Sequence, residues 1–171
     1  MVDDMAWPDV YPNFANTLSV AQGVVDFITI KVAPLQINGN NALTFVALGG
    51  IKPTSISTSV PFATVTLATA PSKRIANGGK MKNELHFNVE AYADYTHSQQ
   101  AEEYIAQIYD LLTALFQSHA RLGETVPGIS YVGLNDQVPT FGFITQNVPI
   151  PLRMVRIGVT VHQMYNLSIT L

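Results

Sequence analysis

The sequence predicts an α+β fold: one mostly antiparallel β-sheet with an N-terminal helix and one long helix packed on a face. Two changes of hydrophobic period support this prediction. From Glu84 to Tyr92 apolar and polar residues alternate, which is typical of a strand with one buried face. From about 98 to 121 apolar residues recur every three or four positions, which is typical of an amphipathic helix. With strands before and after this helix, the element order favours a two-layer α+β domain.

Length and composition restrict the classes of protein that the chain can belong to. A chain of 171 residues is most simply one domain, 1–171, with a real hydrophobic core. Only 12% of its residues are charged, so we expect a weakly charged surface that favours assembly. The net charge of -3 does not suggest a general nucleic-acid binder, and no apolar run is long enough to span a membrane. We therefore expect a soluble protein that is made in the cytoplasm.

The first third of the chain is predicted to contain one helix and one strand. Residues 1–12 are acidic and then punctuated by proline, so we expect an extended lead-in. A helix is favoured over roughly 14–31, because apolar residues recur on one helical face. Residues 28–32 also alternate like a strand, and this alternative stays open. After a turn cluster at 38–41, residues 43–48 predict a strand.

A second strand and a long basic loop are predicted next. Phe62 to Ala68 alternates apolar residues with threonine, which is typical of a half-buried strand. Residues 70–83 are expected to form a long hairpin loop that leads into the strand beginning at Glu84. The loop contains four of the nine basic residues, namely Lys73, Arg74, Lys80 and Lys82. They are interpreted either as an ordinary solvated turn or as an arm that contacts an acidic partner or a phosphate backbone.

The last third of the chain is predicted to close the sheet. Residues 129–134 predict a short strand, whereas 138–151, with three prolines, is expected to be an irregular insertion. Residues 155–161 and 165–171 then keep one alternating phase to the end of the sequence. One strand of that length would far exceed the usual ~5–6 residues. We therefore expect two strands, or one strand that leaves the domain and pairs with another subunit.

A search for local catalytic or cofactor-binding patterns finds none. The four histidines do not pair at metal-ligand spacing, and the sequence has no cysteine. There is no nucleophile elbow, and Gly78-Gly79-Lys80 lacks the serine or threonine that a P-loop requires. We expect no catalytic residue, no metal, no cofactor and no enzyme activity. If the sheet carries a ligand site, the residues to nominate are His86, Glu90, Arg156 and His162.

In pattern and order, roughly residues 60–165 resemble the tail terminator, or tail completion, proteins of tailed bacteriophages. In that family a helix precedes a β-hairpin with a long loop, a strand ending in a Val-x-x-Tyr pattern, a polar turn, a long helix and closing strands. The matching segments here are Phe62-Ala63-Thr64-Val65-Thr66-Leu67, Leu85-His86-Phe87-Asn88-Val89-Glu90-Ala91-Tyr92, the turn through Ser98, the helix from Ala101 to Leu115, and Met154-Val155-Arg156-Ile157-Gly158-Val159-Thr160-Val161.

The resemblance implies a structural virion protein at the head-proximal end of a phage tail. Such a protein forms a ring, usually a hexamer, that caps the tail tube, stops its polymerisation and joins it to the head connector. Its partners would be other copies of itself, the tail tube protein, the connector, and genomic DNA that passes through the lumen without sequence recognition. No membrane is involved. The contact residues proposed on this basis are Lys73, Arg74, Lys80, Lys82, Tyr165, Leu167, Ile169 and Leu171.

Two alternatives to a tail terminator remain open on the sequence. The first is another tail or neck component, either a tail tube protein or a head-tail joining protein, because these share a helix-plus-sheet architecture. The second is a small-ligand-binding α+β domain with a site between sheet and helix. A tube protein would form open-ended polymers, whereas a terminator would stop at one ring.

Overall fold

The computed structural model describes residues 17–50, 60–69, 75–77, 80–118 and 129–166, which hold two helices and nine strands. The helices are α1 (Thr17–Lys31) and α2 (Ser98–Ser118). The strands are β1 (Gln36–Ile37), β2 (Asn40–Asn41), β3 (Phe45–Leu48), β4 (Phe62–Thr69), β5 (Ile75–Asn77), β6 (Lys80–Asp94), β7 (Ile129–Leu134), β8 (Thr140–Ile144) and β9 (Leu152–Asn166).

Seven of these strands form one sheet, which confirms the predicted α+β class. The strand order is β3-β4-β6-β9-β7, while β5 pairs with β6 and β8 pairs with β9. Every pair is antiparallel except β3 with β4. The remaining strands, β1 and β2, form a small hairpin whose turn residues Asn38 and Gly39 have φ of 51° and 81°. Such positive φ values suit a tight two-residue turn between strands.

Both helices pack on the same face of the sheet. One hydrophobic core contains Ile28 of α1, Leu112 of α2, and Phe87 and Val159 of the two central strands. The helices also touch each other, because the rings of Phe27 and Phe116 lie 6.3 Å apart. The alternation along β6 and β9 places their apolar residues under the helices and leaves the other face of the sheet polar. We call that second, helix-free side the polar face.

The helix prediction is confirmed for both segments. In α1, Ile28 is fully buried, whereas Ile30 is 62% exposed on the opposite side of the helix. The helix hydrogen bonds continue to its end, where Val32 N donates to Ile28 O at 2.9 Å. The strand alternative for 28–32 is therefore wrong. The predicted helix residues 14–16 and 119–121 lie outside the described residues.

Within the predicted hairpin loop of 70–83, the described residues 75–77 and 80–83 form strands. Strand β6 begins at Lys80 rather than near Glu84, and Ile75 to Asn77 pairs with its first three residues as β5. The prediction failed because the ladder depends on β9, which pairs with β6 along its whole length from Asp94 back to Lys80. Lys73 and Arg74 lie outside the described residues.

Two predictions for the C-terminal third are corrected by the sheet. The supposedly irregular stretch 138–151 contains β8, which pairs with residues 152–156 of β9. Of the two alternatives for the last strand, the break into two strands before Tyr165 is wrong, because β9 is one strand of 15 residues from Leu152 to Asn166. Its length is supported by neighbours on both sides, β6 on one and β7 with β8 on the other. Leu167, Ile169 and Leu171 lie outside the described residues.

A small second cluster closes one end of the polar face. The ring of Phe62 stacks on Phe45 at 5.3 Å and on Tyr92 at 4.8 Å, so three adjacent strands are joined by aromatic contacts. Leu152 is buried in the same cluster.

Neither described helix is both long enough and apolar enough to cross a bilayer.

Candidate functional site

The residues that the sequence nominated for a ligand site do share the polar face. The register places Glu90 opposite Arg156, and Glu84 opposite His162, on the two central strands. His86 lies on the same side of β6 as Glu90, four residues away. Four steps along a strand correspond to roughly 13 Å. The four nominated residues therefore lie on one face but form two separate clusters.

The first cluster is centred on Glu90. The Arg156 guanidinium Nε lies 2.5 Å from Glu90 Oε1, and the Tyr92 hydroxyl donates a hydrogen bond to the other carboxylate oxygen. Burial raises the pKa of Tyr92 well above its usual range, and the adjacent Glu90 carboxylate raises it further. The phenol therefore remains a proton donor at neutral pH. Both oxygens of Glu90 are already bound by its neighbours.

The second cluster is centred on Glu84. His86 Nε2 lies 3.0 Å from Glu84 Oε1, and His162 Nδ1 lies 3.8 Å from Glu84 Oε2. On its other side, His86 Nδ1 is 3.2 Å from Thr160 Oγ1. The ring of Tyr131 packs at 5.6 Å from the ring of His162. These groups line a groove of about 470 Å³.

The order hydroxyl, imidazole, carboxylate in Thr160, His86 and Glu84 is also the order of a hydrolytic triad. Here the hydroxyl belongs to a threonine that is only 6% exposed. Thr160 stands in the middle of β9, between partners on β6 and β7. Its backbone is therefore engaged in the sheet, whereas acyl transfer needs amide donors that point at the substrate oxygen. The arrangement fits a structural hydrogen-bond chain better than an acylating site.

A larger polar groove of about 1180 Å³ lies between the β1–β2 hairpin and the start of α2. Asn38 and Asn41 line one wall, while Asp94, His97 and Glu103 line the other. At its base the Tyr104 hydroxyl donates to the carbonyl oxygen of Ala42, and burial raises the pKa of Tyr104 well above its usual range. This bond fastens α2 to the segment before β3. Within the described part of the chain, no group of three or more His, Asp or Glu residues could hold a metal ion.

Three of the eight contact residues proposed from the sequence, Lys80, Lys82 and Tyr165, lie in described strands, and the structure places them at one end of the central strands. Lys80 pairs with Asn166, Met81 with Tyr165, and Lys82 with Met164. Tyr165 therefore has a partner in its own chain on one side. The described part of β7 reaches only Gln163 on the other side. Lys80, Lys82 and Tyr165 thus lie together in a narrow ladder of β5, β6 and β9.

Sequence reasoning missed Glu84, Tyr92 and Thr160, which complete the two clusters. Their strand phase could have been predicted, because each has the same parity as a nominated residue on its own strand. The register of the two strands decides which residues face one another across the ladder. No local sequence pattern in either strand determines that register.

Among the comparisons with known proteins, a resemblance comes from solved structures. No protein-family model matches the chain, and no curated protein sequence matches it. Among solved structures, the chain is similar to one in the virion of a native gene transfer agent (GTA) particle. The TM-score is 0.48 and the sequence identity 8%, over 88% of this chain and 99% of that chain.

Proposed function

We propose that this protein is a non-enzymatic structural virion component, a tail terminator whose copies close into a ring at the head-proximal end of a phage tail. The ring caps the tail tube, stops its polymerisation and joins it to the head connector, and genomic DNA passes through its lumen. The element order that carries the family resemblance supports this proposal. The strand of residues 62–69, the strand ending near Tyr92, the long helix and the closing strand follow one another as that order requires.

One feature carries the proposal furthest: in the described part of the chain, the central ribbon of β6 and β9 extends beyond β4 and β7. Strand β4 pairs with β6 only from Tyr92 to His86, and β7 pairs with β9 only from Val159 to Gln163. Beyond these points the described ladder narrows to β5, β6 and β9. We call its end, residues 75–77, 80–82 and 164–166, the arm. An arm of this kind gives each copy a means to reach the next copy in a ring.

In the sequence, basic residues are concentrated in the arm and just before it, and Lys80 and Lys82 belong to the arm. The segment from Lys73 to Lys82 contains four of the nine basic residues in a chain with few charges. A partner for it would be acidic, either on another protein surface or along a nucleic-acid backbone. By contrast, both carboxylates at the centre of the polar face are already bound to neighbouring side chains. The proposed function is therefore carried out by contact surfaces rather than by a reactive centre.

The mass of the full chain in solution tests this proposal. Light scattering on a sizing column, followed by negative-stain imaging of each peak, should show a discrete ring, or a monomer that closes into a ring as concentration rises. Long tubes would instead assign the chain to the tail tube proteins. A monomer or dimer at every concentration would contradict the proposal and direct attention to the two polar grooves as ligand sites.

A further inference from the structure

A row of stacked side chains lies beside α2 at the other end of the central ribbon. Phe143 packs edge-on against Tyr95 at 4.8 Å, and Phe141 packs edge-on against Tyr109 at 5.5 Å. Between the two phenylalanines lies the guanidinium of Arg153, 4.2 Å from the Phe143 ring and 5.8 Å from the Phe141 ring. We call Tyr95, Phe143, Arg153, Phe141 and Tyr109 the aromatic row.

Arg153 is fixed by hydrogen bonds on its buried side, whereas the phenylalanine rings of the aromatic row are exposed to solvent. Arg153 Nε and Nη2 bind the two carboxylate oxygens of Glu102 at 2.7 and 3.2 Å, and Nη1 donates to Gly142 O at 2.9 Å. The Arg153 side chain is only 12% exposed, whereas Phe141 and Phe143 are 46% and 54% exposed. Rigid aromatic side chains with an arginine among them are the composition of interface hot spots. Large exposed rings in a fixed arrangement mark a docking surface.

Apart from Arg153, which is paired with Glu102, the charged residues near the aromatic row on α2 are acidic. Residues 94–118, which include Tyr95 and Tyr109 of the row, contain four acidic residues and no lysine or arginine. Glu103 and Asp110 are exposed on the solvent side of α2, each one residue after a residue that contacts the row and therefore about 100° around the helix axis from it. Among the three carboxylates on α2, Glu102 is paired with Arg153, so Glu103 and Asp110 are the two of this helix that we assign to a partner. The partner that this surface fits is basic.

The same chain carries such a basic segment, at a place where it cannot reach its own row. Lys80 and Lys82 begin β6, and Asp94 ends it beside the row. The fourteen steps between Lys80 and Asp94 in one straight strand span roughly 45 Å. A basic end and an acidic aromatic end on opposite sides of one molecule complement each other only between copies.

We infer that the aromatic row, with Glu103 and Asp110 at its rim, binds the arm of a second copy of this chain. This inference rests on the proposed ring and names the two surfaces that would close it. In a ring each subunit donates its arm to the next and receives an arm from the previous one, so the contact is heterologous. The aromatic rings would supply the buried apolar area of the contact, and Lys80 and Lys82 of the arm would pair with Glu103 and Asp110.

Charge reversal on each surface tests the contact. The arm variant Lys80→Glu with Lys82→Glu and the rim variant Glu103→Lys with Asp110→Lys should each stay folded, as seen by circular dichroism. Each alone should self-associate about 30-fold more weakly than the wild type, because attractive charge pairs become repulsive. Asp26→Lys, an exposed reversal on α1 away from both surfaces, is the matched control and should assemble normally.

Mixing the two variants provides the decisive step. In the arm variant both the arm and the rim are acidic, and in the rim variant both are basic. Copies of the same variant should therefore repel one another. Each variant fits the other, and an equimolar mixture should recover assembly to within about threefold of the wild type. Recovery by mixing is not expected if the reversals merely damaged the fold.

The outcomes separate this contact from the proposed function. A wild-type ring that both reversals leave intact would overturn the contact and keep the ring. A charge-sensitive closed dimer or open polymer would keep the contact and overturn the terminator. A chain that is monomeric in the wild type and in the mixture would overturn both.

Discussion

Replacing Gly158 with alanine tests how the open edge of the sheet is held together. Strands β7 and β8 run in the same direction along β9, and they are separated by residues 135–139. Across that gap β9 advances by only two residues, Ile157 and Gly158. Residues 135–139 are therefore longer than the gap they cross. Asn135 holds them against β9, since its N–H donates to Gly158 O at 3.0 Å and its Oδ1 accepts from Gln137 N at 3.0 Å.

The side chain of Asn135 lies directly over Gly158. A Cβ atom on Gly158 would be 2.1 Å from Asn135 Oδ1 and 2.5 Å from its Cγ, well inside contact distance. Alanine would therefore displace Asn135, which costs about 1 kcal/mol for the hydrogen bond to Gln137 and about 1 kcal/mol for residual strain. Alanine in a strand recovers roughly 0.5–1 kcal/mol relative to glycine. We expect Gly158→Ala to lower the free energy of unfolding by about 1 kcal/mol.

A double-mutant cycle isolates the clash. In an Asn135→Ala background there is nothing left to displace, so Gly158→Ala should raise the free energy of unfolding by roughly 0.5–1 kcal/mol. Urea unfolding of the four variants, followed by circular dichroism, measures both steps. The same destabilisation in both backgrounds would show that Asn135 is not the cause. Stabilisation in both would show that the side chain does not occupy this position.

Three further predictions concern the packing of the helices and the sheet edge. Phe116→Ala should lower the free energy of unfolding by about 3–5 kcal/mol, because the ring is buried in the core. The exposed control Gln107→Ala should change it by less than about 0.5 kcal/mol. Urea unfolding measures both variants. Tyr104→Phe should cost about 1 kcal/mol at pH 7 through the lost bond to Ala42 O. Burial raises the folded-state pKa of Tyr104 above the ordinary tyrosine value of 10.0. The free energy of unfolding should therefore fall as pH rises above 10.0 toward the folded pKa, and it should fall less in Tyr104→Phe. Arg153→Met should lower the melting temperature by a few degrees in calorimetry, because it removes the hydrogen bond to Gly142 O together with the ion pair to Glu102. An unchanged melting temperature would count against both contacts.

The helices and the middle strands could be predicted because their signals are local. In α2 the apolar residues recur at helical spacing, and Ile105, Ile108 and Leu112 are buried as that spacing requires. The alternation in β4 and β6 likewise fixed which side chains face the helices. These patterns depend on the residue's own neighbours in sequence, so a single sequence contains them.

The elements that were missed depend on distant neighbours. Strand β8 is five residues long, contains Gly142 and follows Pro139, and only β9 makes it a strand. The length of β9 and the early start of β6 have the same origin, since each supports the other from end to end. For the polar face, strand phase could place His86 and Glu90 on one side. Only the register could show that they serve different clusters.

The position of β9 has a consequence for how this chain folds. It is the last described strand, yet it lies inside the sheet, between β6 and the edge formed by β7 and β8. Until residues 152–166 have left the ribosome, β6 has no partner on one side, and β7 and β8 have none to pair with. Pairing across such long separations is slow, and the waiting strands expose hydrogen-bonding edges meanwhile. We expect truncation before Leu152 to yield an insoluble chain rather than a smaller folded protein, so stop codons late in the reading frame should be nearly as damaging as early ones.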